Sequence, residues 1–579
     1  MQSPKVLIVG SGPAGLILAL SLLKNGIPAR IIEKDAQHHN GERGAGIMPR
    51  TIEIEQFLGV SDEVCKLAAG PPMIHMFDPK DPYRIIQSSK LVVDVEPNPA
   101  FPITRPVLIG QWIHQAILRR HVEALGGKVE LGSTFIGYTQ DDDGVTAEIH
   151  RVVDGVEQTE KARFEYLVGA DGGRSAVRKA MGVDFHGVTR EEDRLHIVDA
   201  RVEGLEVDSD FRIWGDRKIA SVALRQTAEP GLFQMGFTGP EIRHDFLKAH
   251  NDPQAIQDEL HRITNRTDLR VTGINWHGEW RPNIRMADHF QVGRLFIIGD
   301  AAHTHSPTGG QGLNSSVQDA FNLAWKLALS LKGAASPRLL ESYEKERLPV
   351  IAEMLKLTTK LLDQLINSGI DRGLTVQEAP EKGSNKNTRD EGWFRDRKLL
   401  QLDIHYRWSP VVVDERSSQP TLSPLDVYGA MTSERRAGDR APDAPALVGA
   451  NAPCRLFDIF NPAMHTTLLF VADQSLIEQA SAIITPFSSI DPGLIQKVLV
   501  LPAGTDASNI SASDARYIVV DSQGHAFTNY GVDPSESSPT VVVVRPDAVI
   551  GAFLRTEAGT RKYLSTVFCT DPLAHTLLG

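Results

Sequence analysis

The chain has 579 residues, too many for one hydrophobic core, so two to four domains are expected. Hydrophobic residues make up 41% and charged residues 23%, and no apolar run approaches the roughly 18 to 20 residues of a membrane span. The net charge of -12, spread along the chain, argues against a nucleic-acid partner. The three cysteines, Cys65, Cys454 and Cys569, form no CxxC pair, which argues against a disulfide framework or a metal site and fits a reducing, cytoplasmic setting.

In chain order, the N-terminus enters a strand at once (Val6-Leu7-Ile8-Val9), leaving no room for a signal peptide. An apolar helix over 13–23 ends at Lys24-Asn25-Gly26, and a second strand opens at Ile31-Ile32. A basic helix is expected over 113–125. Short strands alternating with turns over 185–285 (211–214, 219–224, 232–237) suggest an antiparallel sheet. A buried strand at 295–298 leads through a Gly-rich loop into a helix over 313–331, with Leu313, Val317, Phe321, Leu323, Ala324 and Leu327 on one apolar face. Residues 371–397 read as a long polar loop, and the Pro/Asp/Ala-rich stretch 438–445 as a boundary. Strands at 466–471, 498–501, 517–520 and 541–544, with helices near 476–484 and 561–567, then make a separate α/β unit.

Three motifs carry chemistry. In Gly10-Ser11-Gly12-Pro13-Ala14-Gly15, between strand and helix, Gly10 permits the tight turn, Gly12 a close backbone approach to a pyrophosphate, and Gly15 helix–strand packing. The helix start offers free N–H groups and a positive dipole end to phosphates. Glu33, at the end of the next strand beside Lys34, has the position of a ribose-binding carboxylate. This motif alone does not separate FAD from NAD(P). The second string runs from Gly293 to Asn314 and delivers Asp300 at a strand's carboxyl end, then Pro307 and Gly309-Gly310-Gln311-Gly312-Leu313-Asn314. The third is Val168-Gly169-Ala170-Asp171-Gly172-Gly173-Arg174-Ser175, for which a strand–turn–helix with a Ser175 cap is the plain alternative.

The second string closely resembles the GD motif of flavoprotein aromatic hydroxylases (single-component monooxygenases), and the third resembles their DG motif. By that resemblance Asp300 binds the ribityl chain of FAD, Pro307 packs beside the isoalloxazine, and Gly312, Leu313 and Asn314 present N–H groups to the flavin edge. Asp171 sits near FAD and the reducing nucleotide, and Arg43 and Gln111 are further FAD contacts. The implied architecture is a Rossmann-like FAD-binding domain (1–184 and 286–370), an inserted mixed or antiparallel substrate sheet (185–285 with part of 70–105), a connecting segment (371–437) and a thioredoxin-like C-terminal domain (438–579), as in the phenol hydroxylases. The implied reaction is hydroxylation of a phenolic ring with NADPH or NADH and O2, through a C4a-hydroperoxyflavin. An aromatic Baeyer–Villiger or ring-opening outcome and a non-catalytic flavin protein are the alternatives. A homodimer without metal, membrane or nucleic acid is expected. Trp214, Arg225 and Phe237 are the expected substrate contacts, Arg225 with a catalytic role beside Pro307. One departure stands out: where phenol hydroxylases carry a loop carboxylate, this chain has Gly44-Ala45-Gly46, so substrate activation comes from elsewhere or from the substrate's own acidity.

Overall fold

The computed structural model describes residues 3–153, 156–206, 208–243, 252–306, 308–367, 396–417, 423–424, 426–429, 434–449, 453–510 and 514–569. Val6–Val9 is a fully buried strand at the centre of a six-stranded sheet. It pairs in parallel with Ala29–Ile32 on one side and Tyr166–Gly169 on the other. Leu295–Ile297 and Val129–Glu130 extend the sheet in parallel, and Gln291–Val292 closes one edge antiparallel. Helices Pro13–Lys24 and Gly312–Leu331 supply apolar residues to the same core, which explains why these strands are uninterrupted runs of Val, Ile and Leu rather than alternating ones. Pro13 starts the first helix where its missing N–H costs nothing, and Gly26, at φ +74°, follows its end.

A seven-stranded sheet forms the second layer, in the order Arg270–Trp280, Leu195–Glu203, Leu232–Thr238, Ala220–Gln226, Phe211–Asp216, Met73–Phe77 and Ile85–Lys90. All its pairings are antiparallel except that of Phe211–Asp216 with Met73–Phe77. The stretch 185–285 does not enter one sheet. Phe185–Thr189 and Asn283–Ala287 pair with each other, and the latter with His303–Thr304, in a separate three-stranded sheet. The helix Pro253–Thr264 packs Ile256 and Leu260 under one face of the large sheet.

Two further helices lie where the sequence reading placed no element. Pro49–Leu58 starts on a proline, and Glu341–Asn367 runs through Pro349 because Val350, Ile351 and Met354 are fully buried around it. The polar loop expected over 371–397 falls almost entirely outside the described residues.

The C-terminal sheet also has seven strands, ordered Val413–Asp414, Ile550–Leu554, Thr540–Val544, His465–Phe470, Ile495–Leu501, Tyr517–Asp521 and Leu447–Val448. Helices Gln474–Ile484 and Glu557–Val567 cover one face. The stretch 438–445 looks like a linker in composition but is mostly buried, with Asp439 and Asp443 fully so. Its Arg440 donates to Glu53 at 2.7 Å, and Arg50 donates to Glu53 at 3.0 Å and to the Asp547 carbonyl at 2.8 Å. Deeper still, Glu346 accepts from Lys326 at 2.8 Å and from Arg545 at 2.7 Å, all three side chains fully buried. Paired charges at this depth are costly to break singly, so these bonds fix the C-terminal sheet on the N-terminal body.

Candidate functional site

One cavity of about 1120 Å³ runs from the first glycine turn to the face of the large antiparallel sheet. Its first half is built by the parallel sheet. Gly10 has φ +106°, and a Cβ there would stand 2.3 Å from the Ala170 carbonyl oxygen. A Cβ at Gly15 would stand 2.1 Å from the Gly10 oxygen, so neither position admits another residue without moving backbone. Gly12, Pro13 and Ala14 line the cavity, whereas Gly15 serves the packing behind it. Glu33 also lines it and is oriented by Ser11, whose N–H and hydroxyl both donate to Glu33 Oε2 at 3.0 Å. Lys34, Arg43 and Gln111 are further lining residues.

Asp300 is exposed to the cavity on a single 3-10 turn, Gly299–Ala301. Buried Asp319 sets that turn: its Oδ2 accepts the Gly299 N–H at 3.0 Å and contacts His303 Nε2 at 2.7 Å, while its Oδ1 accepts from Arg347 at 2.7 Å. Burial opposes ionisation of Asp319, but the Arg347 guanidinium and His303 outweigh it and hold the carboxyl below its usual range. Gly312 and Leu313 bring the start of a 20-residue helix to the cavity, a position where unpaired N–H groups favour negative charge. Asn314 does not line the cavity. Its side chain ties the neighbouring loop, accepting from the Met48 N–H at 2.7 Å and donating to the Gly46 carbonyl at 2.9 Å. Asp171 lines the cavity, yet its carboxylate is largely committed to the following helix, accepting from Ser175 Oγ and the Ala176 N–H, both at 2.6 Å. Pro307 lies outside the described residues.

The second half of the cavity is the large sheet. Cross-strand register aligns three rows on its inner face. One row is Trp276–Asp199–Gln234–Arg225, the next Gly278–Ile197–Gly236–Ala223–Ile213, the third Trp280–Leu195–Thr238–Ser221. The middle row is small at three of five positions, Gly278, Gly236 and Ala223, with Ile197 and Ile213 standing above them. The period of two settles which expected contacts are possible. Arg225 faces the cavity. Trp214 and Phe237 do not: with Val222 between them they form a row on the opposite face, 2% and 0% exposed, in the core under Pro253–Thr264. Trp214 stacks on Phe77 at 4.3 Å and donates its indole N–H to the Pro82 carbonyl at 3.0 Å. Both residues are therefore corrected from substrate contacts to core.

Several polar groups at this end escaped the sequence reading. Buried Glu42 accepts from Arg225 at 3.0 Å and from the Trp112 indole at 3.0 Å. The Glu42 N–H donates to Asp199 Oδ2 at 2.8 Å, and Gln234 donates to the Arg43 carbonyl at 3.0 Å. These bonds pin the loop around Arg43, whose φ of +41° is rare for a side-chain-bearing residue, onto the sheet. Burial, with Arg43 nearby, lowers the His39 imidazole to about 4. Asp199 is 1% exposed, and burial pushes its carboxyl up to about 6, the Glu42 charge adding to the effect while the Glu42 N–H opposes it. The available signal was the strand phase: Asp199 shares its phase with Leu195 and Ile197, and Gln234 with Leu232 and Gly236, inside apolar strands.

The residues 3–358 match the family model described as FAD binding domain. The chain belongs to this FAD-binding family of flavoprotein aromatic hydroxylases. A flavin-dependent monooxygenase of Mycobacteroides abscessus is 34% identical over 504 residues, covering 86% of this chain and 95% of the relative. Pentachlorophenol 4-monooxygenase of Sphingobium chlorophenolicum is 29% identical over 555 residues, covering 94% and 93%. In structure, this flavoprotein superposes on the flavin-dependent monooxygenase PieE, in complex with FAD and substrate, with a TM-score of 0.77 over 97% of this chain and 98% of that one at 22% identity, a likeness of fold. The resemblance drawn from the GD string is thereby borne out. The residues fit the cofactor: a turn that only glycine can form, a carboxylate, Glu33, already oriented by Ser11, Asp300 held at a strand end, and a helix N-terminus beside it. No helix among the described residues is long and apolar enough to cross a membrane.

Proposed function

We propose that the protein hydroxylates a phenolic aromatic ring with O2 and NADPH or NADH, FAD lying across the glycine-turn half of the cavity and the ring on the sheet half. The observation that carries this reading is the continuity of the cavity from Glu33 and Asp300 to Arg225 and Gln234. Bound FAD supplies the redox and oxygen chemistry; the protein supplies position, charge and exclusion of water. Glu33 and Asp300 hold the ribose and ribityl hydroxyls, and the Gly312 helix start favours negative charge on the ring system. The adjacent small positions Gly236 and Ala223 accept a flat ring, and Arg225 stabilises a phenolic oxyanion beside them. Pro307 and Asp171 keep their proposed roles beside the flavin and the reducing nucleotide. The relative that acts on pentachlorophenol supports a phenolic substrate.

The proposed division is an FAD domain over 1–184 and 286–370, a substrate region over 185–285, a connector over 371–437 and a thioredoxin-like unit over 438–579 in a homodimer. Lacking CxxC, the last unit has no dithiol chemistry and serves packing or dimerisation. The test is a phenol panel assayed for stimulation of NADPH and NADH oxidation, with product identified by mass. Stimulation with a hydroxylated product supports the reading; oxidation indifferent to every phenol overturns it.

A further inference from the structure

Between Asp300 and the helix Gly312–Leu331 lies an imidazole that none of the roles above uses. His305 lines the cavity, as do Asp300 and Gly312. Its Nδ1 is hydrogen-bonded to the Ser306 carbonyl. A carbonyl only accepts, so Nδ1 carries the proton and Nε2 keeps its lone pair. That Nε2 stands against the first turn of the helix: a Cβ on Gly312 would lie 2.2 Å from it. Gly312 has no positive φ to require glycine; the side chain it lacks is what makes room for the imidazole. The loop itself is fixed. The Ser306 and Thr308 hydroxyls donate to the Thr358 carbonyl at 3.1 and 2.8 Å, which ties the segment to the helix Glu341–Asn367.

We propose that His305 balances the charge of the reduced cofactor, its Nε2 binding a proton when bound FAD gains electrons. This rests on FAD lying along Asp300 and the Gly312 helix start, as proposed above, and not on the identity of the substrate. In the step, a hydride from the nicotinamide brings two electrons and one proton to the flavin, which gains one negative charge. An N–H bond forms at His305 Nε2 with a proton supplied by solvent, no protein bond breaks, and the charge of the site is unchanged. The reason is electrostatic. A helix start carries only about half an elementary positive charge, so it favours the anionic flavin without neutralising it. Asp300 adds a negative charge of its own. Before reduction, burial disfavours the imidazolium and, with His303 nearby, outweighs Asp300, holding His305 below its ordinary value. The helix dipole acts in the same direction. An anion arriving at that turn reverses the balance, because an opposite charge within about 4–6 Å favours the charged form. The groups facing His305 are Asp300 from the turn before it and His303 from the adjoining strand, the latter held by Asp319 at 2.7 Å. The helix start offers Gly312 and Leu313 and the long helix offers Thr358, none of them titratable.

The test counts the protons taken up when the FAD-loaded full chain is reduced. The pH dependence of the flavin midpoint potential, measured spectroelectrochemically without oxygen, gives that number. Near pH 7 the wild type should take up about two protons per two electrons, one on the flavin and one on His305. His305→Gln and His305→Asn, which cannot titrate, should take up about one. The absorbance of the reduced cofactor reads its own protonation and should show the ionised form in all three proteins. Should both variants lose FAD, the wild type alone decides: two protons with an ionised reduced flavin uphold the assignment. An uptake of one, two protons with a neutral reduced flavin, or equal uptake in wild type and variants overturns it. A phenol panel without effect would end the hydroxylase reading and leave these proton counts as they are. A chain that takes up no FAD would instead remove the cofactor reading, and this inference with it.

Discussion

The Arg225 guanidinium donates to the Glu42 carboxylate at 3.0 Å, with side chains only 4% and 1% exposed at the polar end of the cavity. Each neutralises a charge the other would leave buried. Replacing Arg225 by Gln should therefore lower stability by about 3–5 kcal/mol, and Arg225→Gln with Glu42→Gln should recover most of that loss. Activity should not recover with it: kcat/KM toward acidic phenols should stay about 10- to 100-fold down, the equivalent of one charged hydrogen bond. Thermal melts and steady-state kinetics on the single and double variants read the two effects separately.

Asp199 gives a pH-dependent expectation of stability. Its folded-state carboxyl lies at about 6, above an unfolded value near 3.9, so the folded protein holds this proton more tightly. The contribution is fully present below about pH 4 and is lost as pH rises through about 6. Asp199→Asn, which cannot ionise, should be more stable than wild type by roughly 3 kcal/mol near pH 8 and little different near pH 4. Denaturant midpoints at the two pH values check this; a variant destabilised equally at both would show that the ionised carboxylate is not the costly group.

Trp214 tests the assignment of the two sheet faces. Trp214→Phe removes the bond to the Pro82 carbonyl and part of the stack on Phe77, and should cost about 1–3 kcal/mol. KM for the phenol should not move by more than about 2-fold, since the side chain points away from the cavity. A KM change larger than the change in stability would return Trp214 to the substrate site.

How much of this was legible in the sequence depends on the range of the interaction. The glycine turn, Glu33 and Asp300 announce themselves because backbone sterics and strand-end position are local, and they came with the resemblance to aromatic hydroxylases. Trp214 and Phe237 are aromatic, but strand phase puts them on the face away from the cavity. The alternation Phe233, Met235, Phe237 against Gln234, Gly236, Thr238 already separated two faces. Arg225 was visible, but its partners were not: Glu42 is 183 positions away and meets it only through the register of the sheet. The same holds for Asp319, which sets the Asp300 turn from 20 residues downstream of Gly299. The stretch 438–445 has the composition of a linker and is mostly buried because Arg440 meets Glu53, a pairing 387 residues apart.

Asp300→Ala should weaken FAD binding about 10- to 100-fold, the loss of about 1.5–3 kcal/mol from a charged hydrogen bond to a ribityl hydroxyl. The fold should persist, because the bonds that set the turn belong to Asp319. Fluorescence titration of the apoprotein with FAD, beside a circular dichroism melt, gives both values. Unchanged affinity would remove Asp300 from the cofactor site.

The most direct measurement is turnover of an acidic phenol by the FAD-loaded protein with NADPH or NADH under isotopically labelled O2. The account predicts that the phenol accelerates nicotinamide oxidation and that a single labelled oxygen appears on its ring, with Arg225→Gln diverting most of the reducing equivalents to hydrogen peroxide. Nicotinamide oxidation that is the same with and without every phenol, with no labelled ring product, would contradict it.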